Sequence, residues 1–399
     1  MNSGRKRRII LNTPCFPRND YHIGNAISQI ITDVIYKYRR SCGDSIVYIY
    51  EAWNFHGKIL EETCQSFTGR ECSYLDILSL VEPLKERARI EKGYFTKYSI
   101  DDSSLGIYED TDPHFMRFCR EMFFELNSRG YIIQNKQDCF LDLSKFPKSD
   151  KNIFAEMNVI PTYQENSLLS IQNSLTGPYP ITKPREFTVT FQWNSHQIAL
   201  NPIFQSWLMP LYLREKYGTN YPAYFQSSSS GKNMLKWHYL RTKITLALSN
   251  TIPYDNLWLH GILSGEKGET ISKHAEQPMK PSDLFALEND RSFVRYALLK
   301  SISDKSVRFP LSLVRGEWNK LRQTIVTLKE GRFHIKNKSG QISQLLTDSF
   351  TFLGEFKIKQ SFDAFCTVLR DGAIVSSAEM RTGHLEKELA RLYSIFLTP

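Results

Sequence analysis

A chain of 399 residues with a formal charge of +9 has room for two or three domains and ample material for a core. With 41% hydrophobic and 13% aromatic residues it is globular in composition, and its longest apolar runs fall far short of the roughly 18 residues a membrane helix needs. The pI near 9.0 admits a polyanionic partner, but spread over this length the basic excess is modest.

The start passes from a basic cluster, Arg5 to Arg8, straight into a strand-like run, so no secretion signal is expected. The cluster reads as a solvated tail or as a nucleic-acid contact. "RIILNTP" (8–14) is a buried strand ending at Pro14. A helix follows from about Asn25 to Arg40, with Ile27, Ile30, Ile31, Val34, Ile35 and Tyr38 at helical spacing. The turn His22-Ile23-Gly24-Asn25 before it is either a surface loop or a place where backbone approaches an anion. "SIVYIYEAW" (45–53) is a second β-rich run, and the three segments make a βαβ unit of a parallel sheet. Ligands of such sheets bind beyond the carboxyl ends of the strands, which is where His22 and the segment after Trp53 are expected.

Residues 74–98 read as a helix, and so does "PHFMRFCREMFFELNSR" (113–129), closed by Gly130. From 131 to 205 the pattern weakens, with prolines at 147, 161, 178, 180 and 184 and one strand candidate at 186–193, and the region reads as an insertion. "SSSSGKN" (227–233) reads as a polar loop. A helix containing Leu235, Leu240, Ile244 and Leu248 follows, then the strand "NLWLHGIL" (256–263). The loop "SGEKGETISKHAEQP" is the second place suited to chemistry. The remainder is mostly helical, and Leu311, Val314, Trp318, Leu321 and Ile325 have the spacing of an inward face. The seven cysteines, at 15, 42, 64, 72, 119, 139 and 366, are odd in number and lack C-x-x-C spacing. Reduced thiols, no structural zinc and a cytoplasmic setting are therefore expected.

Separated segments of this chain resemble class I aminoacyl-tRNA synthetases. "HIGNAISQIITDVIYKYRRSCG" is similar to their His-Ile-Gly-His signature before a helix. "YEAWNFHGKILEE" (50–62) looks like the Trp-Asp-x-His-Gly segment of the isoleucyl branch. "LWLHGILSGEKGETISKHAE" resembles the strand and Lys-Met-Ser-Lys-Ser loop, and "SSGKNMLKWHY" a methionyl-type helix opening. "GYI" at 130–132 matches the entry to the connective insertion. The resemblance runs from about residue 9 to 300 and points to the methionyl, isoleucyl, valyl and leucyl branch.

It implies an α/β fold: a Rossmann-type parallel-sheet catalytic domain with a short connective insertion and a C-terminal helical bundle. The expected division is 1–130 for the first catalytic half and 131–205 for an insertion without an editing domain. The second half follows at 206–300 and the helical domain at 301–399. The implied chemistry is ATP-dependent activation of an amino acid to an aminoacyl adenylate, with Mg2+ arriving on the phosphates and no zinc. His22, Asn25 and Lys273 would be catalytic. Pro14, Gly24, His260, Gly261 and Ser272 would join His22 and Lys273 around ATP. Glu51, Trp53, Asn54, His56 and Gly57 would hold the amino acid.

Departures from the pattern matter. Asn25 replaces the second histidine and Thr270 the first lysine of the loop, which weakens activation without abolishing it. Asn54 stands where relatives carry the aspartate that receives the α-ammonium; Glu51 compensates, or the substrate is not an ordinary α-amino acid. His56 borders the pocket or packs at a strand end. Trp53, Trp237 and Trp258 line a pocket or the core; Lys232 and His238 face ATP or sit on exposed helix positions. The editing domain and methionyl-type zinc cysteines are missing, and 310–399 looks like a reduced anticodon-binding bundle. These features favour a paralogue that passes its acyl group to a small amine, a hydroxylamine or a carrier protein. Some methionyl-type domains of specialised metabolism couple an amino acid to an N-hydroxylated amine in this way. A compact tRNA ligase and a non-catalytic binding protein are the alternatives.

Overall fold

The structure, a computed structural model, describes residues 8–12, 21–56, 58–69, 73–98, 102–146, 157–162, 164–175, 177–183, 187–217, 225–231, 234–265, 279–303, 305, 307–331, 333–336, 340–355, 357–372, 374–376 and 383–399. The chain opens with β1 (Arg8–Asn12), α1 (Ile23–Ser41), β2 (Ile46–Trp53), α2 (Lys58–Thr68), α3 (Tyr74–Gly93), β3 (Leu105–Glu109) and α4 (Pro113–Ser128). It continues with β4 (Ile132–Asn135), β5 (Asp138–Asp142), β6 (Asn158–Ile160), α5 (Gln164–Ser174), β7 (Pro178–Pro180), β8 (Thr190–Trp193), β9 (His196–Ala199) and α6 (Pro202–Tyr217). Next come β10 (Phe225–Gly231), α7 (Leu235–Ser249), β11 (Asn256–His260), β12 (Leu263–Ser264), α8 (Pro281–Glu288), α9 (Arg291–Lys300) and β13 (Val307–Arg308). The last elements are α10 (Leu311–Lys329), β14 (Phe333–Ile335), α11 (Gly340–Gly354), α12 (Ile358–Asp371), β15 (Ile374–Ser376) and α13 (His384–Phe396). Two compact units share the chain. One is Met1–Asn19, Asp44–Ala88 and Ile100–Leu259; the other is Asp20–Gly43, Arg89–Ser99 and His260–Pro399.

The first unit is built on a six-stranded sheet of order β3-β2-β1-β10-β11-β6, with β1–β2, β2–β3, β1–β10 and β11–β6 parallel. β1, β2 and β11 read as apolar runs because strands inside a parallel sheet are covered on both faces. Ile9, Ile10 and Leu11 of β1 and Val47, Tyr48 and Ile49 of β2 are buried. Ile9, Leu11, Val47 and Ile49 share a core with Phe115, Phe118 and Phe123 of α4, Trp207 and Leu208 of α6, and Leu257 of β11. Gly130 ends the turn after α4 at φ +77, a left-handed position suited to glycine. The region read as an insertion folds into short antiparallel ladders, β4-β5-β7 and β8–β9.

One segment departs from its sequence reading. "SSSSG", expected as a loop, lies within β10, paired in parallel register with β1 from Arg8↔Phe225 to Asn12↔Ser229. Serine is no strong strand former, but the amides and carbonyls of β1 need partners on that side, and this demand outweighs intrinsic preference.

The second unit gathers α1 with α8 to α13. On α10, Val314, Trp318, Leu321 and Ile325 are buried at helical spacing, and Leu311 is half-buried. Trp318 meets Phe293 and Tyr296, each with ring centroids 5.4 Å away. The centre of this unit holds a charge. Asp33 of α1 and Arg295 of α9 are fully buried and ion-paired at 2.7 Å. Arg295 also donates to Phe95 O (2.8 Å), Phe396 O (2.6 Å) and Ile395 O (3.0 Å). Tyr98 donates its hydroxyl to Asp33, and Lys37 lies 3.4 Å from the same carboxylate. Burial pushes the Asp33 carboxyl up, but Lys37, Arg295 and the Tyr98 hydrogen bond outweigh it and hold it below its usual range. Lys37 is pulled down to about 8 by burial and by Arg295, against the attraction of Asp33.

Among the described residues, no helix is long and apolar enough to cross a membrane. Cys42, Cys119, Cys139 and Cys366 are free, but Cys64 of α2 is disulfide-bonded, which corrects the expectation of fully reduced thiols. The spacing of the cysteines in the sequence carries no sign of that bond.

Candidate active site

The candidate residues fall into two groups, one in each unit. In the second unit, the turn before α1 is a helix cap. His22 is the N-cap in extended conformation; its Nδ1 accepts from Gly24 N–H at 3.1 Å, and its own N–H donates to Asn25 Oδ1 at 3.3 Å. This reciprocal box satisfies two donors that a helix start would otherwise leave unmet. Because Nδ1 accepts, the neutral ring carries its proton on Nε2. His22 is thereby a preset donor at a helix N-terminus, where the macrodipole favours anions. Asn25 commits its oxygen to the cap and has its amide group as a donor.

Pro14, Gly57, Lys232, Thr270, Ser272 and Lys273 lie outside the described residues. Both flanks of the loop that carries Ser272 and Lys273 are described, and both reach α1. Upstream, Ser28 Oγ and His260 Nε2 are 2.6 Å apart, and His260 Nδ1 lies 2.9 Å from Gly261 O. A carbonyl only accepts, so Nδ1 carries the proton and Ser28 donates to Nε2. Burial holds the His260 ring below its ordinary pKa, with the Gly261 hydrogen bond opposing. Gly261 N–H donates to Ser303 O at 2.6 Å. Downstream, Met279 O accepts from Ile23 N–H, in the first turn of α1, at 3.0 Å. Ser282, at the start of α8, is fixed by Glu91 through its N–H (3.0 Å) and hydroxyl (2.8 Å).

The first unit contributes the carboxyl end of β2. Side chains alternate there, as in any extended segment. Trp53 and Phe55 face one way, with ring centroids 6.4 Å apart, and Lys85 lies over the Phe55 ring. Asn54 and His56 occupy the alternate positions. Both are buried, at 8% and 1% exposure, and Asn54 Oδ1 and His56 Nε2 have no hydrogen-bond partner among the described residues. The other side of the His56 ring is well held. Nδ1 is 2.8 Å from Gln205 Oε1, and Phe187 meets the ring edge-on at 5.1 Å. Gln205 uses its amide group on Thr188 Oγ1 and Leu200 O, so its oxygen accepts and His56 Nδ1 donates. In the neutral ring Nε2 is therefore an acceptor, and no described residue donates to it. Asp110, just past β3, receives Phe55 N–H (2.7 Å) and His56 N–H (3.0 Å). Burial pushes its carboxyl up, with His56 and the two amides opposing.

Glu51 accepts from Trp53 Nε1 at 3.2 Å, both buried. Trp258 is buried and Trp237 half-buried. His238 is buried too, not at an exposed helix position, and burial with Arg241 nearby depresses its pKa. Sequence reasoning missed Asp110, Gln205 and Ser28. Asp110 had one signal, a position at the end of a parallel strand, but β3 is too short to be read from "LGIYE". Gln205 had none.

A model of the family "tRNA synthetases class I (M)" matches residues 9–147. The isoleucine–tRNA ligase of Carboxydothermus hydrogenoformans is 27% identical over 135 residues, 33% of this chain and 14% of that protein. That of Caldicellulosiruptor saccharolyticus is 24% identical over 174 residues, 43% and 18%. The matches thus span under a fifth of those relatives' length. In fold, the chain is similar to Mycobacterium tuberculosis methionyl-tRNA synthetase in complex with methionyl-adenylate, with TM-score 0.71 and 13% identity over 98% of this chain and 89% of that one. A second structure of the same synthetase bound by methionyl-adenylate gives TM-score 0.72 at 12% identity. In architecture the chain is similar to these class I synthetases, and in sequence it resembles them over residues 9–147.

Proposed function

We propose that the chain activates a carboxylic acid of the amino-acid class with ATP. The substrate carboxylate oxygen attacks the α-phosphorus in line, the bond between Pα and the bridging oxygen breaks, and pyrophosphate leaves as the acyl adenylate forms. Catalysis of such a step is positioning and charge stabilisation. The observation that carries the reading is the tethering of both loop flanks to α1: Ser28 with His260, and Ile23 with Met279. It supports a role in which Lys273 neutralises charge on the leaving pyrophosphate beside the Nε2–H of His22. Gly24, His260, Gly261, Ser272 and Pro14 would border the nucleotide; Asn54, His56, Gly57, Glu51 and Trp53 would border the acid. Magnesium would arrive on the phosphates; among the described residues no three His, Cys, Asp or Glu side chains are gathered as a ligand set.

The acceptor we assign is a small amine, a hydroxylamine or a carrier protein rather than tRNA. The support comes from α10, whose cations Arg315, Arg322 and Lys329 recur at seven-residue intervals along one face. Arg315 and Arg322 pair with Glu288 at 3.2 and 3.7 Å, and Lys329 with Asp290 at 2.7 Å. A phosphate would meet three cations that each already face a carboxylate, two of them sharing Glu288. ATP–pyrophosphate exchange in the absence of tRNA tests the activation step. Exchange is expected without tRNA; charging of one purified tRNA at a rate matching adenylation would overturn the acceptor assignment.

A further inference from the structure

We propose that the acid activated here presents, at its buried end, a neutral hydrogen-bond donor, a hydroxyl or an acylated amine, rather than a charged ammonium. The inference rests on the acyl-adenylate reading above and specifies its substrate.

Two polar atoms are held ready at the end of β2, Asn54 Oδ1 and His56 Nε2, each buried and without a hydrogen-bond partner among the described residues. A buried acceptor left unmet is costly, so this pair marks a place where a donor belongs. Both acceptors are neutral. One is an amide oxygen, and the other is a ring nitrogen whose proton the Gln205 oxygen holds on the opposite side. Three described carboxylates nearby already have partners. Asp110 takes the amides of Phe55 and His56, and its Oδ2 lies 3.7 Å from His56 Nδ1, on the side of the ring away from Nε2; Glu51 takes the Trp53 indole; Glu109 is paired with Lys85. An ammonium buried against Asn54 Oδ1 and His56 Nε2 would have its hydrogen bonds but no carboxylate in direct contact, which disfavours the charged form. A hydroxyl or an amide N–H satisfies the same atoms without that cost.

Matched triplets of acids test this: the 2-amino, 2-hydroxy and N-acetyl-2-amino forms of one side chain, compared in ATP–pyrophosphate exchange with the intact chain. The neutral forms are expected to exceed the amino acid by at least tenfold in kcat/KM. An amino acid that equals or exceeds both neutral forms would overturn the inference while leaving the adenylation reading standing. No exchange with any member of a broad panel would overturn the adenylation reading, and the inference with it. In Asn54→Asp the order is expected to reverse, because the missing countercharge is supplied. In Asn54→Leu, which removes the acceptor without adding charge, exchange with the 2-hydroxy acid is expected to fall at least tenfold. Unchanged selectivity in a folded Asn54→Asp protein would also overturn it.

Discussion

The two groups of candidate residues treat their polar atoms in opposite ways. Around α1, the charges and the cap are met from within the chain: His22 with Gly24 and Asn25, Ser28 with His260, Asp33 with Arg295. At the end of β2, Asn54 Oδ1 and His56 Nε2 are buried and met by no described residue. A satisfied network speaks of position, because its hydrogen bonds have already been formed in folding. An unsatisfied one speaks of a ligand, because something else must complete it. On the function proposed above, the difference separates residues that would hold the machinery from those that would receive the substrate.

Breaking the satisfied side has the largest expected effect. Arg295→Met leaves Asp33 buried without its countercharge, a loss of about 3–5 kcal/mol that denaturant titration reads directly. The double replacement Asp33→Leu with Arg295→Met should recover much of that loss, since neither charge is then stranded. Equal loss in the single and double variants would show that packing, not charge, governs this centre.

The next test divides one residue into its two roles. His22→Asn keeps an N-cap, since asparagine caps at least as well as most residues. Stability should stay within about 0.5 kcal/mol, while pyrophosphate exchange drops by about two to three powers of ten. Lys273→Ala should show a similar loss of exchange with no change in melting. Unaltered exchange in both would remove α1 and the loop from the chemistry.

On the unsatisfied side, Gln205→Leu removes the partner that keeps the His56 proton on Nδ1. The ring is then free to present a donor at Nε2, and exchange should fall by about 1–2 powers of ten, mainly in KM, with a stability cost of about 1–3 kcal/mol. A pure stability loss with unchanged KM would return His56 to core packing.

The smallest effect is a dependence on pH. Lys37 titrates near 8 in the folded chain, below its ordinary unfolded value. Between those values the unfolded chain binds the extra proton, so this residue's contribution to stability rises with pH over that window. Wild type should gain on Lys37→Met by on the order of 1 kcal/mol per pH unit from about pH 8 to 10, followed by urea melts at each pH. A constant difference would show that burial and Arg295 do not outweigh the attraction of Asp33 for this ammonium.

The helices were legible because their signals are local. The isoleucines of α1 and the Val314–Trp318–Leu321–Ile325 stripe repeat with the helical period and are buried accordingly. The turn at His22 was legible as a motif but not as a capping box, since the same residues serve a loop or a helix start. β10 was not legible, because its serines pair with β1 for reasons that lie in the sheet and not in their side-chain type. The supports of the site were hidden for a similar reason. Gln205 reaches His56 across 149 residues of chain, and Ser28 reaches His260 across 232. No spacing rule links them.

The buried Asp33 also sets an order on biosynthesis. A ribosome adds about 5–20 residues per second, and α1 emerges early. The guanidinium that neutralises it comes only with α9, and the carbonyls that finish the guanidinium's hydrogen bonding belong to Ile395 and Phe396. Until α9 and α13 have been made, the helix with the "HIGN" turn therefore carries an aspartate whose partners are incomplete. Synthesis of α13 supplies the carbonyls that complete the guanidinium's bonding.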